Sequence, residues 1–321
     1  MLTLNRPIAV AAFAAAVLAA PLVAHAQSKS SANPEATQAL ENASPDNMTV
    51  ETTSDNLLWF RNQPLSHDPF VNQTGKNASA ANIDKQMLHF EHSDTGGIIW
   101  NSLTVTALFA DANEQTPAGA GSHEAYMTYR GDIPMSTFGL PRLYGPGILG
   151  TLLEVGGDLN WKDDPYASRR KFLLVGPIVY LDLPGSVTFA VHAAQEWNHD
   201  GITGEDTHYH PTWNTELSYT EYLTSDQTWR WEGVWNMTGS KGWDTKLSKT
   251  TTEIYTYNQI VLDWGPLVKL PAHQLDLFAG VQFWYNKFGY PAWGHPYGVP
   301  GVGAGAGAVE LTPYVGVAVH F

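Results

Sequence analysis

From Lys85 to the C-terminus the chain repeats one pattern, runs of about ten residues in which apolar side chains alternate with small or polar ones, separated by turn signals. The clearest runs are Gly97 to Ala110, Ser122 to Arg130, Ile148 to Trp161, Arg170 to Asp182, Ser186 to Asn198, Tyr209 to Tyr222, Thr228 to Lys241, Thr252 to Trp264, Gln274 to Asn286 and Glu310 to Phe321. Alternation with period two is that of a strand, whose side chains point by turns to opposite faces. In the last run Val309, Leu311, Pro313, Val315, Val317, Val319 and Phe321 form one apolar face, and Glu310, Thr312, Tyr314, Gly316, Ala318 and His320 form the other. A half-buried strand of a soluble sandwich alternates in the same way, so the rest of the chain must separate the two.

The N-terminus does so. Residues 1–26 open with a short polar stretch carrying only Arg6, continue as an apolar run from Ile8 to about Leu22, and close on Ala24-His25-Ala26. This is the layout of a secretory signal peptide with an A-x-A cleavage site. Beyond it no window of about 20 apolar residues remains, the length a spanning helix needs. A closed β-barrel can still cross a membrane, because its backbone groups are all paired between strands. From Gln27 to about Ala81 the chain is rich in Ser, Asn, Ala, Gln and Thr, and only Leu57-Leu58-Trp59-Phe60 resembles a packed element. That segment reads as a flexible polar periplasmic leader, with a plug inside the barrel as the alternative. The expected division is 1–26 signal peptide, 27–81 leader and 82–321 outer-membrane β-barrel. Weaker runs at Lys85 to His92 and around Trp59 bring the expected antiparallel strands to about 12, an even number as in single-chain bacterial barrels.

Connection lengths follow the same logic. With the C-terminus on the periplasmic side, the turns at Ser93 to Gly96, Leu183 to Gly185 and Leu223 to Gln227 are short. The opposite connections, Asp111 to Gly121, His199 to His208, Gly242 to Thr251 and Lys287 to Val309, are longer, as extracellular loops are. Gly131 to Gly147 departs from the rule, being long where a short turn belongs, so either it folds back as a constriction or the strand count fails there. Turning the apolar residues toward lipid fixes what faces inward, because a charge on the lipid face costs a few kcal/mol near the midplane. Glu124, Tyr126, Thr128 and Arg130 then face the lumen, as do Glu154, Asp158, Asn160, Thr188, His192, Glu196, Asn198, Arg230, Glu232, Asn236, Asp276, Gln282 and Trp284, with Lys162 just above. Tyr126, Phe172, Tyr180, Trp284 and Tyr314 are the expected interior aromatics, while Trp161, Trp197 and Trp229 read as interfacial girdle residues.

Composition adds three limits. The 321 residues include 12 Trp, 14 Tyr and 12 Phe with a mean hydropathy of only −0.21, which fits faces that cancel in any average. The absence of Cys excludes disulfides and thiolate metal sites. Removing residues 1–26, which carry Arg6 and no acid, takes the charge from −14 to −15. That sign argues against a nucleic-acid partner and favours neutral or cationic solutes.

Several strings carry a resemblance. GGDLNWKDD (Gly156 to Asp164), KFLLVGPIVYLDLPG (Lys171 to Gly185), EWNHDGI (Glu196 to Ile202), EAYMTYR (Glu124 to Arg130) and WYNKFG (Trp284 to Gly289) together resemble the Tsx-like nucleoside-specific outer-membrane channel family, over roughly Met87 to Phe321. The resemblance implies a barrel of approximately 12 strands that passes nucleosides by facilitated diffusion, without cofactor, with binding residues on its inner wall. Glu124, Tyr126, Arg130, Asp158, Lys162, Glu196, Asn198 and Trp284 both lie in those strings and point inward or to the rim, so they are the candidate solute-binding residues. Expected partners are outer-membrane lipid, a small nucleoside-like solute, and the barrel-assembly machinery acting on the terminal strand that ends in Phe321. The Gly/Ala-rich stretch Gly298 to Ala308 and the long leader depart from the family pattern, which bears on substrate choice because loops shape the mouth.

Other readings stay open. A general or differently selective porin would share every feature above. An outer-membrane hydrolase would need Asp163-Asp164 to face His199-Asp200 within hydrogen-bond reach, and the chain has no G-x-S-x-G elbow. A structural or adhesive barrel would have a lumen sealed by salt bridges. His208-x-His210 with His199 is a weak metal-site pattern, more often a solvated one.

Overall fold

The computed structural model describes residues 53–69, 82–96, 98–114, 121–140, 146–163, 169–200, 204–244, 249–292 and 308–321. The expected signal peptide and the leader up to residue 52 lie outside them.

Thirteen strands are present among these residues: β1 (Thr53–Ser66), β2 (Ile83–Thr95), β3 (Trp100–Ala110), β4 (His123–Pro134), β5 (Ile148–Lys162), β6 (Arg169–Leu181), β7 (Ser186–Asp200), β8 (Glu205–His208), β9 (Thr212–Tyr222), β10 (Trp229–Thr238), β11 (Glu253–Asp263), β12 (Leu275–Tyr285) and β13 (Val309–His320). Each pairs antiparallel with its neighbours, β6 with β7 and β1 with β13 among them, so twelve strands close on themselves as a barrel. The short β8 pairs with β7 alone and extends that hairpin beyond the ring. The run expected as a loop from His199 to His208 is therefore largely strand.

One further expectation is corrected, and the strand count questioned at Gly131 to Gly147 stands. Barrel sequence starts at Thr53, inside the segment assigned to the leader, because β1 supplies the seam between β2 and β13. Without it two edges would face lipid with unpaired backbone groups. Its composition hid it: the inward residues Asp55, Arg61 and Gln63 are polar, and only Leu57 to Phe60 looks like a strand. The segment from Gly131 to Gly147 leaves the count of twelve intact. It begins as the end of β4 and continues into a 3-10 turn at Met135–Phe138.

Alternation sorts the side chains as lipid and lumen demand. In β13, Leu311 and Val315 are 62% and 61% exposed, whereas Glu310, Thr312, Tyr314 and His320 are buried. Trp161, Trp229, Trp231 and Trp235 lie on the exposed outer face. This apolar outer belt around a polar interior, on a closed antiparallel ring, is the architecture of the bacterial outer membrane. Two outward tyrosines bond outward asparagines: Tyr129 Oη donates to Asn101 Oδ1 at 2.6 Å, and Tyr219 Oη donates to Asn258 Oδ1. Two glycines allow close strand approach. A Cβ on Gly176 would stand 2.0 Å from the Val191 carbonyl oxygen, and one on Gly185, whose φ is +78° in the β6–β7 turn, 2.0 Å from that of Thr220.

Inside, apolar packing is confined to patches. Trp100, Leu152, Ile178, Tyr180 and Ala190 form one, and Leu57, Val261, Phe278, Tyr314 and Ala318 form another on the opposite arc. Both sit largely toward the short-turn end of the strands that carry them. The lipid face should therefore carry most of the sensitivity to charge: Val315→Arg, midway along β13, is expected to cost about 2–4 kcal/mol in urea unfolding from lipid vesicles.

Candidate functional site

The barrel interior holds a cavity of about 1480 Å³ that runs from residues near the short turns, such as Trp100 and His320, to residues at the long-loop end, such as Lys162 and Lys287. All eight candidate residues, Glu124, Tyr126, Arg130, Asp158, Lys162, Glu196, Asn198 and Trp284, line it. The lining carries eight Lys or Arg and thirteen Asp or Glu, so the lumen is acidic on balance.

On the β4–β7 arc, Arg130 reaches across from β4 to β5, with Nη1 2.8 Å from Asp158 Oδ1 and Nε 3.3 Å from Glu154 Oε1. Tyr126 donates to the other Asp158 oxygen at 3.0 Å, and Asn160 donates to Glu124 at 2.8 Å. Glu196 is held from two sides, by Arg170 Nε at 3.0 Å and by Lys241 Nζ at 2.9 Å. Six of the eight candidates, Glu124, Tyr126, Arg130, Asp158, Glu196 and Lys162, the last of which donates to Glu114, thus belong to hydrogen-bonded groups on one arc. Trp284 stands on the other.

That other arc is aromatic. Trp284 packs edge-on against Tyr255 and against Phe288, with centroids 5.1 Å apart in each case, and its indole N–H donates to Glu253 at 2.7 Å. Tyr257 continues the row one inward step below Tyr255, and Trp59 stacks on His89 at 4.3 Å. Tyr314 points inward as expected, but the Arg61 guanidinium lies 3.6 Å over its ring and covers it. Sequence reasoning passed over Tyr255 and Tyr257 because their outward neighbours, Thr256 and Asn258, are polar, which hides the alternation. It marked a weak strand run around Trp59 within the expected leader but did not single out Arg61.

Charged pairs line the cavity toward both ends. Near the short turns, Arg230 Nη2 lies 2.5 Å from Asp276, Arg230 also pairs with Glu232, and His320 bridges Asp276 at 3.2 Å and Asp55 at 3.4 Å. This ties β1, β10, β12 and β13 together from within. At the long-loop end the chain after β1 turns inward: Asp68 pairs with Lys85 and with Lys287 at 2.7 Å, while Lys287 also holds Glu310 at 2.5 Å. The His67 N–H donates to Glu310, and Lys287 donates to the His67 carbonyl. Burial alone would push the Asp68 carboxyl upward, but the Lys287 and Lys85 charges overcome it and hold the group well below the ordinary aspartate range.

The two pairs drawn for a hydrolase have other partners: Asp163 accepts from His123 Nδ1 at 2.6 Å, and His199 Nδ1 lies 2.7 Å from Asp206. The Asp164 and Asp200 side chains lie outside the described residues. His208 packs edge-on against Trp197 at 6.3 Å.

No family model and no curated protein matches the sequence. Among solved structures, the chain is similar to a KdgM porin in complex with disordered oligogalacturonate, at 9% identity and a TM-score of 0.41 over 83% of this chain and 99% of that one. It is also similar to the NanC porin, at 10% identity and a TM-score of 0.40 over 83% and 99% of the two chains. For OccAB1 from Acinetobacter baumannii the values are 10%, 0.28, 84% and 96%.

Two outcomes follow from the charge clusters. Arg230→Met leaves Asp276 and Glu232 facing each other in a buried setting, and should destabilise the barrel by about 3 kcal/mol in urea unfolding from detergent micelles. Because the Asp68 pKa is depressed on folding, its contribution to stability is complete above the unfolded value, declines as pH falls below it and is gone once pH has passed through the lowered folded one, while in the folded barrel the carboxylate stays charged down to that lower value. Channel conductance governed by this tie should stay constant as pH falls from neutral through the ordinary aspartate range, as planar-bilayer recordings can check.

Proposed function

We propose that this protein is a passive outer-membrane channel through which nucleosides or similar small polar-aromatic solutes diffuse down their gradient, in the manner of the Tsx-like channels its strings resemble. The observation that carries the reading is the row Tyr257, Tyr255, Trp284 and Phe288 on one arc of the lumen, across from the arc that carries the Tyr126, Asp158 and Arg130 cluster. Flat rings stack on the first arc, while hydroxyls and ring nitrogens find donors and acceptors on the second. The acidic balance of the lining favours neutral or cationic solutes over anions. Conduction needs binding weak enough to release the solute, which exposed edges of aromatic rings provide better than an enclosed pocket. The eight candidate residues would form the binding surface, with no cofactor and no energy source.

Single-channel conductance of the refolded mature protein, titrated with adenosine and with thymidine, tests this. Saturable block is expected, and Trp284→Ala should raise the half-blocking concentration about tenfold, the loss of one stacking partner. Tyr126→Ala should weaken block through the opposite arc. Open conductance without block would leave a general or differently selective porin. No conductance at all would favour a barrel sealed by its salt bridges.

A further inference from the structure

Among the described residues, four lysines line the cavity, and all four stand at its long-loop end. Lys85 lies near the start of β2, Lys162 ends β5, Lys241 follows β10 and Lys287 follows β12. Each has a carboxylate: Asp68 for Lys85, Glu114 for Lys162, Glu196 for Lys241 and Glu310 for Lys287, with Asp68 shared between Lys85 and Lys287. Arg170, Glu124 and Glu253 also line the cavity near this end. Among the described residues the ring of fixed positive charge is thus offset by carboxylates, six against five Lys and Arg.

The four acids are not equivalent. Glu196 and Glu310 are wall residues on β7 and β13, so they stay wherever the barrel stays. Asp68 and Glu114 belong to loops, just after β1 and just after β3, and both are turned in and buried, at 8% and 2% exposure. A loop acid is expected in solvent; burying it against lysine is costly unless the pair is well made. Asp68 also reaches Lys287 beyond β12, and Glu114 reaches Lys162 at the end of β5, but the ladders β1–β2, β3–β4 and β4–β5 are complete without these contacts.

We propose that Asp68 and Glu114 are the specificity-determining residues of the mouth: two loop carboxylates that complete the cancellation of a wall-borne lysine ring, which Glu196 and Glu310 offset only in part, and so keep anions from being drawn into an otherwise acidic channel. A ring of uncancelled lysines at a constriction concentrates anions and repels cations, whereas a neutral ring admits uncharged solutes without preference. The proposal rests on the channel reading and adds to it where selection occurs. It also separates the tasks of the two regions, with charge sorted at the mouth and shape sorted along the aromatic arc.

The test uses the full mature protein in planar bilayers under a KCl gradient, reading the chloride-to-potassium permeability ratio from the reversal potential. Asp68→Asn with Glu114→Gln should raise that ratio about tenfold. Adding Lys85→Gln and Lys162→Gln to the same channel should bring it back toward the wild-type value. Heat-modifiable migration on gels confirms that each variant is a folded barrel; if the double variant does not insert, Asp68→Asn alone is read by the same criterion, with Lys85→Gln as its reversal. An unchanged ratio in a folded variant overturns the proposal. So does a shift that the lysine replacements fail to reverse, because displaced loops rather than cancelled charge would then be acting. A wild-type protein that conducts nothing would sink the channel reading itself, which is a separate result from a conducting wild type with unaltered variants.

Discussion

Every backbone N–H and C=O that enters a bilayer core must find its partner within the protein. In this chain that one constraint is met by twelve strands closing between β6 and β7 and between β1 and β13. Closure dictates alternation, since each strand has one face to lipid and one to the lumen. Alternation in turn allows the interior to be polar at no cost to insertion. A lumen rich in carboxylates and guanidinium groups is therefore the consequence of a backbone requirement, and any selectivity is built on a surface that closure has already made polar.

Polar does not mean open. Arg130 between Asp158 and Glu154, Arg230 between Asp276 and Glu232, and Glu196 between Arg170 and Lys241 are crosslinks between strands as much as parts of a pathway. A charge removed from such a group strands its partner in a region where water is limited, and the penalty for an uncompensated ion exceeds the value of the pair. The same side chains therefore set the shape of the lumen and its stability. The aromatic arc carries fewer charges: Tyr255, Trp284 and Phe288 meet edge-on and line the cavity, with Trp284 and Tyr255 bonded to Glu253 and Gln282 and the Lys287 ammonium 4.6 Å over the Trp284 ring.

The barrel was legible in the sequence because period-two alternation and short–long connections are properties of the chain itself. Ten of the twelve ring strands appear as clear runs, and the inward residues of β4, β5, β7, β10 and β12 follow from keeping Leu, Val and Trp on the lipid side. Legibility failed where a strand's two faces are alike in polarity. In β1 the inward Asp55, Arg61 and Gln63 are followed by polar outward Asn56 and Asn62, and the strand reads only as a weak run around Trp59 within the leader. In β11 the outward Thr256 and Asn258 erase the contrast with inward Tyr255 and Tyr257, although Tyr219 satisfies Asn258 from the next strand but one. No sequence pattern could have brought Asp68 to Lys287, which lie on opposite sides of the seam.

Where lysine and arginine fall along the lumen has its own physical reason. Arg61, Arg130 and Arg230 lie deeper, where each planar guanidinium contacts two groups: Gln282 and the Tyr314 ring, Asp158 and Glu154, Asp276 and Glu232. A fork of fixed donors is suited to a site with little water, because it satisfies its neighbours without solvent. Lys85, Lys162, Lys241 and Lys287 instead stand at the mouth. An ammonium is compact and carried on a flexible stem, so each reaches a single nearby carboxylate or two, and Lys85, Lys241 and Lys287 do so while buried. Rigid crosslinks in the body and adjustable point charges at the entrance divide the lumen into a part that holds the barrel's shape and a part whose net charge a loop residue can set.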